Sequence, residues 1–463
     1  MLNSSKAQTK RTGLKQISGT DLKRFVVHSA LLSLIDPVRG EPTRSSLDEN
    51  PNGDVLGGQQ LRQKFLDSFA LICSTSSSGA ESASAVCLEW HASAPAILRV
   101  ARNHGLTPGD MRGLENVLEI LQTVARKAIE KSSPQAESEI LYLVVELTRD
   151  RILSIAERTQ KRGIIECLRQ ASSELVKDQA RPEILAEPGF KPWLDSCPFT
   201  ASSLDRPWNP LTIALLVNWA SQARWTYSTQ FKVLFGITQS QKPDWMNNLY
   251  KIARYRSAIK SMVKLAVKQP DIFAQIQIRE LKAPSQSPFS LKNDRGALQT
   301  AVKRLIKENS RETMQQLEKH LDSHDVEAVL RKACRLSLTL HAEMQLVVFY
   351  EENPESAPRM RFIGTSKKAC FLCYKYLLQH PLGLQVSACH QKIYPSWMPP
   401  PYYPISGKFK NDPFIKLDRD IEQLTRKELK TALNAARRPK NYDSTAGPSL
   451  TLTATVSTEV EAR

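Results

Sequence analysis

The sequence contains no apolar run long enough to cross a bilayer, which argues against a membrane protein. Its N-terminal segment, residues 1–24, also lacks the apolar core of a secretory signal peptide. We therefore expect an intracellular protein, cytoplasmic or nuclear. A mitochondrial address is harder to exclude, because the first acid, Asp21, follows four cations: Lys6, Lys10, Arg11 and Lys15. A disordered, solvated tail explains the same residues more simply.

Cysteine is sparse, and most of the eight cysteines stand alone within apolar stretches. This distribution is typical of buried free thiols in a reducing compartment rather than of a disulfide framework. Only Cys370 and Cys373 form a close pair. In an intracellular chain such a pair indicates metal binding or redox chemistry.

Acidic residues are outnumbered by basic ones, and the formal net charge is +17. An excess of this size favours polyanionic partners or substrates, and nucleic acid above all. The charge carries no information about the fold. We therefore expect single-stranded RNA or DNA, or a free nucleoside or nucleotide, as the partner, and we name no protein partner.

The first half of the chain has a helical pattern. Apolar residues recur at spacings of three and four through residues 21–175, and again through 211–235. The polar segment 39–60 is typical of a loop, and residues 181–210 show no regular apolar periodicity. The pattern predicts an all-α region that serves as a scaffold, a docking surface or a lid.

A basic stripe follows on the helix predicted from residue 243 to residue 268. Four cations are spaced four residues apart and share one helix face: Arg256, Lys260, Lys264 and Lys268. A phosphate-contacting helix has this pattern, and so does the solvated face of an ordinary amphipathic helix. We retain nucleic-acid contact as one hypothesis for these residues.

The predicted secondary structure changes after Pro270 from helices alone to a mixture of strands and helices. The pattern predicts strands over 272–281, 336–340 and 359–364, one or two helices over 294–332, and further helices over 370–379 and 415–436. Two chemically distinctive motifs fall where helices follow strands. The first is His341-Ala342-Glu343, and the second is Cys370-Phe371-Leu372-Cys373.

These motifs predict a metal site. Cys370 and Cys373 lie one helical turn apart, so both sulfurs can reach one ion, and the helix N-terminus favours thiolates. With His341 they form a good ligand set for zinc. Glu343 is two residues from His341 and suits a general acid or base beside the metal, because a regular helix does not direct both side chains at one ion.

The motif region resembles a known family. The segments 340–346, 363–373 and 394–399 are similar to the OTT-type deaminases, a fungal-expanded branch of the cytidine deaminase-like superfamily that is related to bacterial toxin deaminases. The resemblance extends over roughly residues 270–404. Ala369 stands where many superfamily members carry proline before the first cysteine.

The resemblance implies a fold class and an activity. The fold would be α/β: an α-helical N-terminal region followed by a three-layer α/β/α domain with a small mixed sheet. The activity would be zinc-dependent hydrolytic deamination of a cytosine- or adenine-type base, a hydrolysis at a C–N bond of a cyclic amidine. His341, Cys370 and Cys373 would hold Zn²⁺, and Glu343 would carry the proton.

Substrate contacts are predicted around this site. Lys367 precedes the cysteine pair and could meet a phosphate, while Tyr394 and Trp397 could stack on a base. Solvent exposure of Lys367 and loop packing of the two aromatic residues are the alternatives. Pro400-Pro401-Tyr402-Tyr403 also fits a short ligand for WW-type domains.

Other interpretations of the metal site stay open. Cys389 or His390 could close the tetrahedron, which would make the zinc site structural and the protein a non-catalytic, zinc-stabilised interaction or nucleic-acid-binding protein. A redox dithiol and a metal-free coincidence are further alternatives, as is an adaptor whose helical half does the work.

We expect the chain to divide into five parts. They are a disordered basic tail over 1–20, an α-helical region of unknown role over 21–242, a zinc-dependent deaminase-like domain over 243–404, an amphipathic helix over 405–438, and a disordered tail over 439–463.

Overall fold

The computed structural model describes residues 15–43, 58–91, 94–127, 133–177, 185, 187–199, 209–236, 243–292, 294, 296–401, 412–431 and 433. Most of the two predicted tails, and the aromatic residues Tyr402 and Tyr403, lie outside the described residues. None of the described helices combines the length and the apolar character that a membrane crossing needs.

The helices before the sheet's third strand are α1 (Gly19–Ile35), α2 (Gly58–Ile72), α3 (Pro108–Arg126), α4 (Ser133–Leu147), α5 (Arg149–Gln160), α6 (Ile164–Lys177), α7 (Phe190–Asp195), α8 (Pro210–Trp225), α9 (Ser228–Leu234), α10 (Asp244–Lys268) and α11 (Pro270–Phe273). The later helices are α12 (Ala297–Leu305), α13 (Ser310–Leu321), α14 (Val326–Ala333), α15 (Ala342–Glu352), α16 (Phe371–Gln379) and α17 (Pro413–Thr431). The strands are β1 (Ser84–His91), β2 (Ala94–Arg102), β3 (Gln277–Glu280), β4 (Ser287–Phe289), β5 (Leu336–Leu338), β6 (Phe362–Thr365) and β7 (Gln385–Val386).

Five strands form a mixed sheet in the order β3-β2-β1-β6-β7. The central pairs, β1 with β2 and β1 with β6, are antiparallel, while β2–β3 and β6–β7 are parallel. The short strands β4 and β5 pair separately as an antiparallel ribbon. The predicted α/β class with a small mixed sheet is confirmed.

The sheet separates two apolar cores. Along β1, Val86 and Leu88 enter one core while Ala85 and Cys87 enter the other, as the two-residue period of a strand requires. The first core holds helices α2–α11, and the second holds α1 and α12–α17. Helices α2–α11 therefore form one outer layer of an α/β/α sandwich, and α1 lies in the other with the later helices.

The helical prediction is wrong over residues 84–102. These residues form the hairpin β1–β2, in which Ser84 pairs with Arg102 and Val86 with Val100. A short apolar run is ambiguous between a buried strand and a buried helix, so periodicity alone did not separate the two. The predicted boundary near residue 242 lies between strands of one sheet, because β1 and β2 pair with β6 and β3.

Smaller differences appear after residue 270. The segment predicted as one strand over 272–281 begins in the short helix α11 and becomes a strand only at Gln277. The helical segment 294–332 holds α12, α13 and α14 among its described residues, where one or two helices were predicted. The helix predicted within 405–438 is confirmed as α17.

Close packing of α2 on β6 fixes the approach to the second motif. A side chain at Gly364 would overlap the backbone of Leu66. At the next residue of each element, Oδ1 of Asp67 accepts a hydrogen bond from the backbone N–H of Thr365 at 2.8 Å. Burial raises the pKa of Asp67 to about 7. The strand that leads to the cysteine pair is thus held by one buried carboxyl.

Candidate functional site

The first motif begins α15, and the end of β2 anchors it. His341 occupies the N-cap position of this helix. The next backbone N–H, that of Ala342, donates to Oδ1 of Asn103 at 2.9 Å. Nε2 of Gln345 donates to the carbonyl of Arg102 at 3.2 Å. No motif in the sequence pointed to Asn103 or Gln345, because their role depends on β2 reaching α15.

The second motif begins α16. Cys370 is the N-cap residue, and its sulfur accepts a hydrogen bond from the backbone N–H of Cys373 at 3.4 Å. A sulfur at this position faces the free N–H groups and the positive end of the helix, both of which favour a thiolate. The predicted start of this helix near Cys370 is confirmed.

The two motifs converge on one point. Nδ1 of His341 lies 3.6 Å from Sγ of Cys370 and 3.4 Å from Sγ of Cys373. Tetrahedral zinc bonds of the usual lengths separate sulfur and nitrogen ligands by about 3.5 Å. All three donor atoms lie within 4.8 Å of one another, and the described part of the chain adds no further His, Cys, Asp or Glu to this group. The three side chains could therefore hold a metal ion, and their chemistry fits zinc.

Each of the three donor side chains shifts the pKa of its neighbours in the group. Burial by itself raises the pKa of the Cys370 thiol, but its hydrogen bond with Cys373 and the charge of His341 outweigh burial and bring the pKa well below the ordinary value. Burial and the neighbouring Cys370 raise the pKa of Cys373 well above it. Burial lowers the pKa of His341, yet the charge of Cys370 raises it overall. A divalent cation would satisfy both sulfurs as thiolates.

Trp397 supports one of these sulfurs. The backbone of Thr339 donates to the carbonyl of Ser396 at 2.9 Å, and Met398 donates to the carbonyl of Thr339 at 3.0 Å. Trp397 is fully buried (0% exposed), and its indole Nε1 donates to Sγ of Cys373 at 3.2 Å. The indole therefore has no face open to a base, and its contact is with a metal donor rather than a substrate. A buried tryptophan N–H requires such a partner, but the sequence did not identify it.

Neither proposed fourth ligand joins the donor group of the described residues. Sγ of Cys389 accepts from the backbone N–H of Gln391 at 3.3 Å, and burial raises its pKa to about 12. Nδ1 of His390 accepts from the backbone N–H of Lys392 at 3.0 Å, and burial lowers its pKa to about 3. Three protein donors are the number found in catalytic zinc sites, whereas structural sites use four.

Glu343 lies beside the donors without joining their group. Burial raises the pKa of its carboxyl above the ordinary value, although the charge of His341 and a hydrogen bond with Cys373 counteract part of the increase. Its side chain keeps partial exposure to solvent. A carboxyl of raised pKa at the edge of a metal site suits proton transfer.

Two other predicted contacts lie at the margins of the site. The Tyr394 ring, 39% exposed, has its centroid 6.3 Å from that of His341. Lys367 is largely buried, and its Nζ donates to the carbonyl of Gly79. Burial and the charge of Arg151 lower the pKa of Lys367 to about 7. The Lys367 ammonium is therefore directed toward the layer formed by the first half of the chain.

The predicted basic stripe lies on α10, away from Lys367. Arg256 pairs with Glu137 of α4 at 2.9 Å, while Lys260 and Lys268 are exposed and Lys264 is half-buried. With about 100° between successive helical residues, Arg256 and Lys260 lie across the helix from Lys251. Their contact with nucleic acid stays a prediction.

A protein-family model described as an OTT_1508-like deaminase matches residues 340–401. Comparisons with curated proteins and with solved structures found no match. The matched segment begins one residue before His341 and contains all three donor side chains together with Glu343. Residues 340–401 of this chain are therefore similar to the OTT-type deaminase family.

Proposed function

We propose that this protein is a zinc-dependent hydrolytic deaminase that acts on a cytosine- or adenine-type base. The observation that carries the proposal is the convergence of His341, Cys370 and Cys373 beside the carboxyl of Glu343. The family match over residues 340–401 supports deamination as the reaction. The donor set, two sulfurs and one imidazole, supports zinc as the metal.

The reaction replaces the exocyclic amine of the base by an oxygen from water and releases ammonia. A zinc ion bound by the three donors supplies Lewis-acid activation of water. Glu343 accepts a proton from the attacking water and later delivers it to the departing amine. Glu343 would hold that proton between the two steps.

We propose that the base is presented within RNA or DNA, with a free nucleoside or nucleotide as the alternative. The net charge of +17 and the exposed cations Lys260 and Lys268 support a polyanionic substrate. Tyr394, half-open beside His341, is the aromatic ring that supports stacking on the base.

The test is ammonia release by purified protein, with bound metal measured in the same preparation. Substrates are cytosine and adenine as nucleosides and within single-stranded RNA and DNA. Glu343→Gln removes the proton carrier but keeps the shape of the side chain. Glu352→Gln is the matched control, because Glu352 is exposed at the far end of the same helix.

We expect one zinc per chain in all three proteins, with ammonia released by the native protein and by the Glu352→Gln variant only. Zinc at one equivalent with no ammonia from any substrate would contradict the proposal. That result would favour the second function, a zinc-stabilised interaction or nucleic-acid-binding protein.

A further inference from the structure

A cavity lies beside the segment that leads to Cys370. Its volume is about 290 Å³, close to the lower limit of small-molecule pockets. Its cations come from three separate parts of the chain: Arg151 and Arg158, Lys251 and Arg254, and Lys367. Among the residues that the structure describes, no Asp or Glu lines it.

Two of these cations meet at Gly79. Nη1 of Arg151 and Nζ of Lys367 would each lie 2.7 Å from a Cβ at this position. Nζ of Lys367 donates to the carbonyl of Gly79, and Nη1 of Arg151 donates to the carbonyl of Ser77 at 3.2 Å. A side chain at position 79 would displace the ends of both cations from these positions. The wall of the cavity at Gly79 is therefore lined by two positively charged groups.

This grouping is electrostatically unfavourable by itself. Burial lowers the pKa of Lys367 to about 7, and repulsion by Arg151 and Lys251 adds to the effect. Burial and repulsion by Arg151 also lower the pKa of Arg158. Arg254 is 8% exposed, so its charge also lies largely outside solvent. Folding concentrates like charges here at a cost that a bound anion would offset.

We propose that this cavity binds a compact anion that carries two or more phosphate groups. Guanidinium groups match phosphate oxygens with paired hydrogen bonds, and lysine ammonium groups add point charges. Cations from α5, from α10 and from the turn before α16 can surround such an anion on three sides. The cavity is separate from the His341, Cys370 and Cys373 donors, and the proposal does not depend on the deaminase activity.

The shared chemistry is a row of phosphate groups, which a free oligophosphate or a nucleic-acid backbone can supply. The experiment therefore uses tripolyphosphate, pyrophosphate and inorganic phosphate as one arm, and a single-stranded oligonucleotide as the other. Sodium chloride at matched ionic strength corrects for screening. Thermal unfolding and titration calorimetry are measured on the full chain.

We expect tripolyphosphate to raise the Tm more than inorganic phosphate does, and chloride to have no comparable effect. Arg151→Gln should weaken tripolyphosphate binding at least about tenfold, since a charge-assisted hydrogen bond is lost. The matched control is Arg169→Gln, which removes the same charge from an exposed position on α6. Arg169 pairs only at the surface, so binding by this variant should equal that of the native protein.

Arg158→Gln provides a second variant, since Arg158 is exposed and its loss leaves the core intact. Tight binding of the oligonucleotide with weak binding of tripolyphosphate, lost in Arg151→Gln, would identify the nucleic-acid backbone as the source of the phosphates. Two results would overturn the proposal: no Tm shift with any phosphate or oligonucleotide, or equal binding by the Arg151→Gln, Arg158→Gln and Arg169→Gln variants.

Discussion

The metal site and the basic cavity adjoin the same short segment, residues 366–370, yet their chemistry is opposite. The candidate metal site gathers two thiols and a carboxyl around one imidazole, a set that could hold a cation. The cavity gathers five cations and, among its described lining residues, no carboxyl, a set that favours an anion. Lys367 is the cation nearest in sequence to the metal donors, and its ammonium is directed into the cavity.

The two sites also differ in their construction. The metal donors lie within 33 residues of one another in sequence, His341 to Cys373, and belong to one helical layer. The cavity takes cations from α5 and α10 in the opposite layer, together with Lys367 at the end of the central sheet. A site built from one local segment can be recognised from spacing, whereas a site assembled across two layers cannot.

The largest expected effect is at the metal site. Glu343→Gln should lower the rate of ammonia release by about 10² to 10⁴, the usual contribution of a positioned general acid or base. Zinc content should not change, since Glu343 is not among the donors. Loss of zinc together with activity would show that Glu343 is itself a metal ligand. The assignment of Glu343 as a proton carrier separate from the donors would then be wrong.

Trp397→Phe should weaken zinc binding by about 10- to 100-fold, because the indole N–H that donates to Cys373 is lost while the ring volume is largely kept. Competition with a chromophoric chelator measures the change. Trp225→Phe is the matched control, because Trp225 is half-exposed and its N–H donates to Ser257 at 3.0 Å, away from the donors. Equal zinc affinity in both variants would show that the Trp397 indole does not contribute to zinc binding.

Asp67 provides a test at the junction of the layers. Its pKa in the folded state is about 7, against an ordinary value of 3.8. The folded state therefore holds a proton that the unfolded state releases between these values, so this carboxyl lowers the free energy of unfolding as pH rises from about 4 to 7. Its contribution is constant below and above that window.

Asp67→Asn should make the free energy of unfolding less dependent on pH over this range, because the amide oxygen can still accept from Thr365. Urea unfolding at several pH values measures the slope. Asp150→Asn, at an exposed position, should keep the native slope. An unchanged slope in Asp67→Asn would mean that the carboxyl is already ionised in the folded protein at pH 4 to 7.

The smallest expected effect is on the cavity in the absence of phosphate. Arg151→Gln should raise the free energy of unfolding by about 1 kcal/mol or less, because it relieves repulsion at a partly exposed site. Arg169→Gln should leave the free energy of unfolding unchanged or lower it slightly. Destabilisation by Arg151→Gln without phosphate of more than about 1 kcal/mol, the contribution of its hydrogen bond to Ser77, would contradict the view that the cations repel one another in the free protein.

Part of the fold followed directly from the sequence. The helices at Ala342 and Phe371 begin where the motifs predicted, because a residue at a helix start is identified by its immediate neighbours. The hairpin β1–β2 did not follow, since a short apolar run is ambiguous between a buried strand and a buried helix. Its place beside β6 depends on pairing with residues far along the chain. Pairing partners nearly 280 residues apart leave no local pattern.

By itself the sequence predicted the group that could hold a metal ion, His341, Cys370 and Cys373, and set Glu343 apart from it. Ligand chemistry and helical spacing are local properties, and both can be read along a short segment. Only the tertiary structure decided that Trp397 supports Cys373 and that the cavity cations of α5 and α10 meet Lys367. Burial and charge clustering are sums over distant residues, so they exist only after the two helical layers have packed on the sheet.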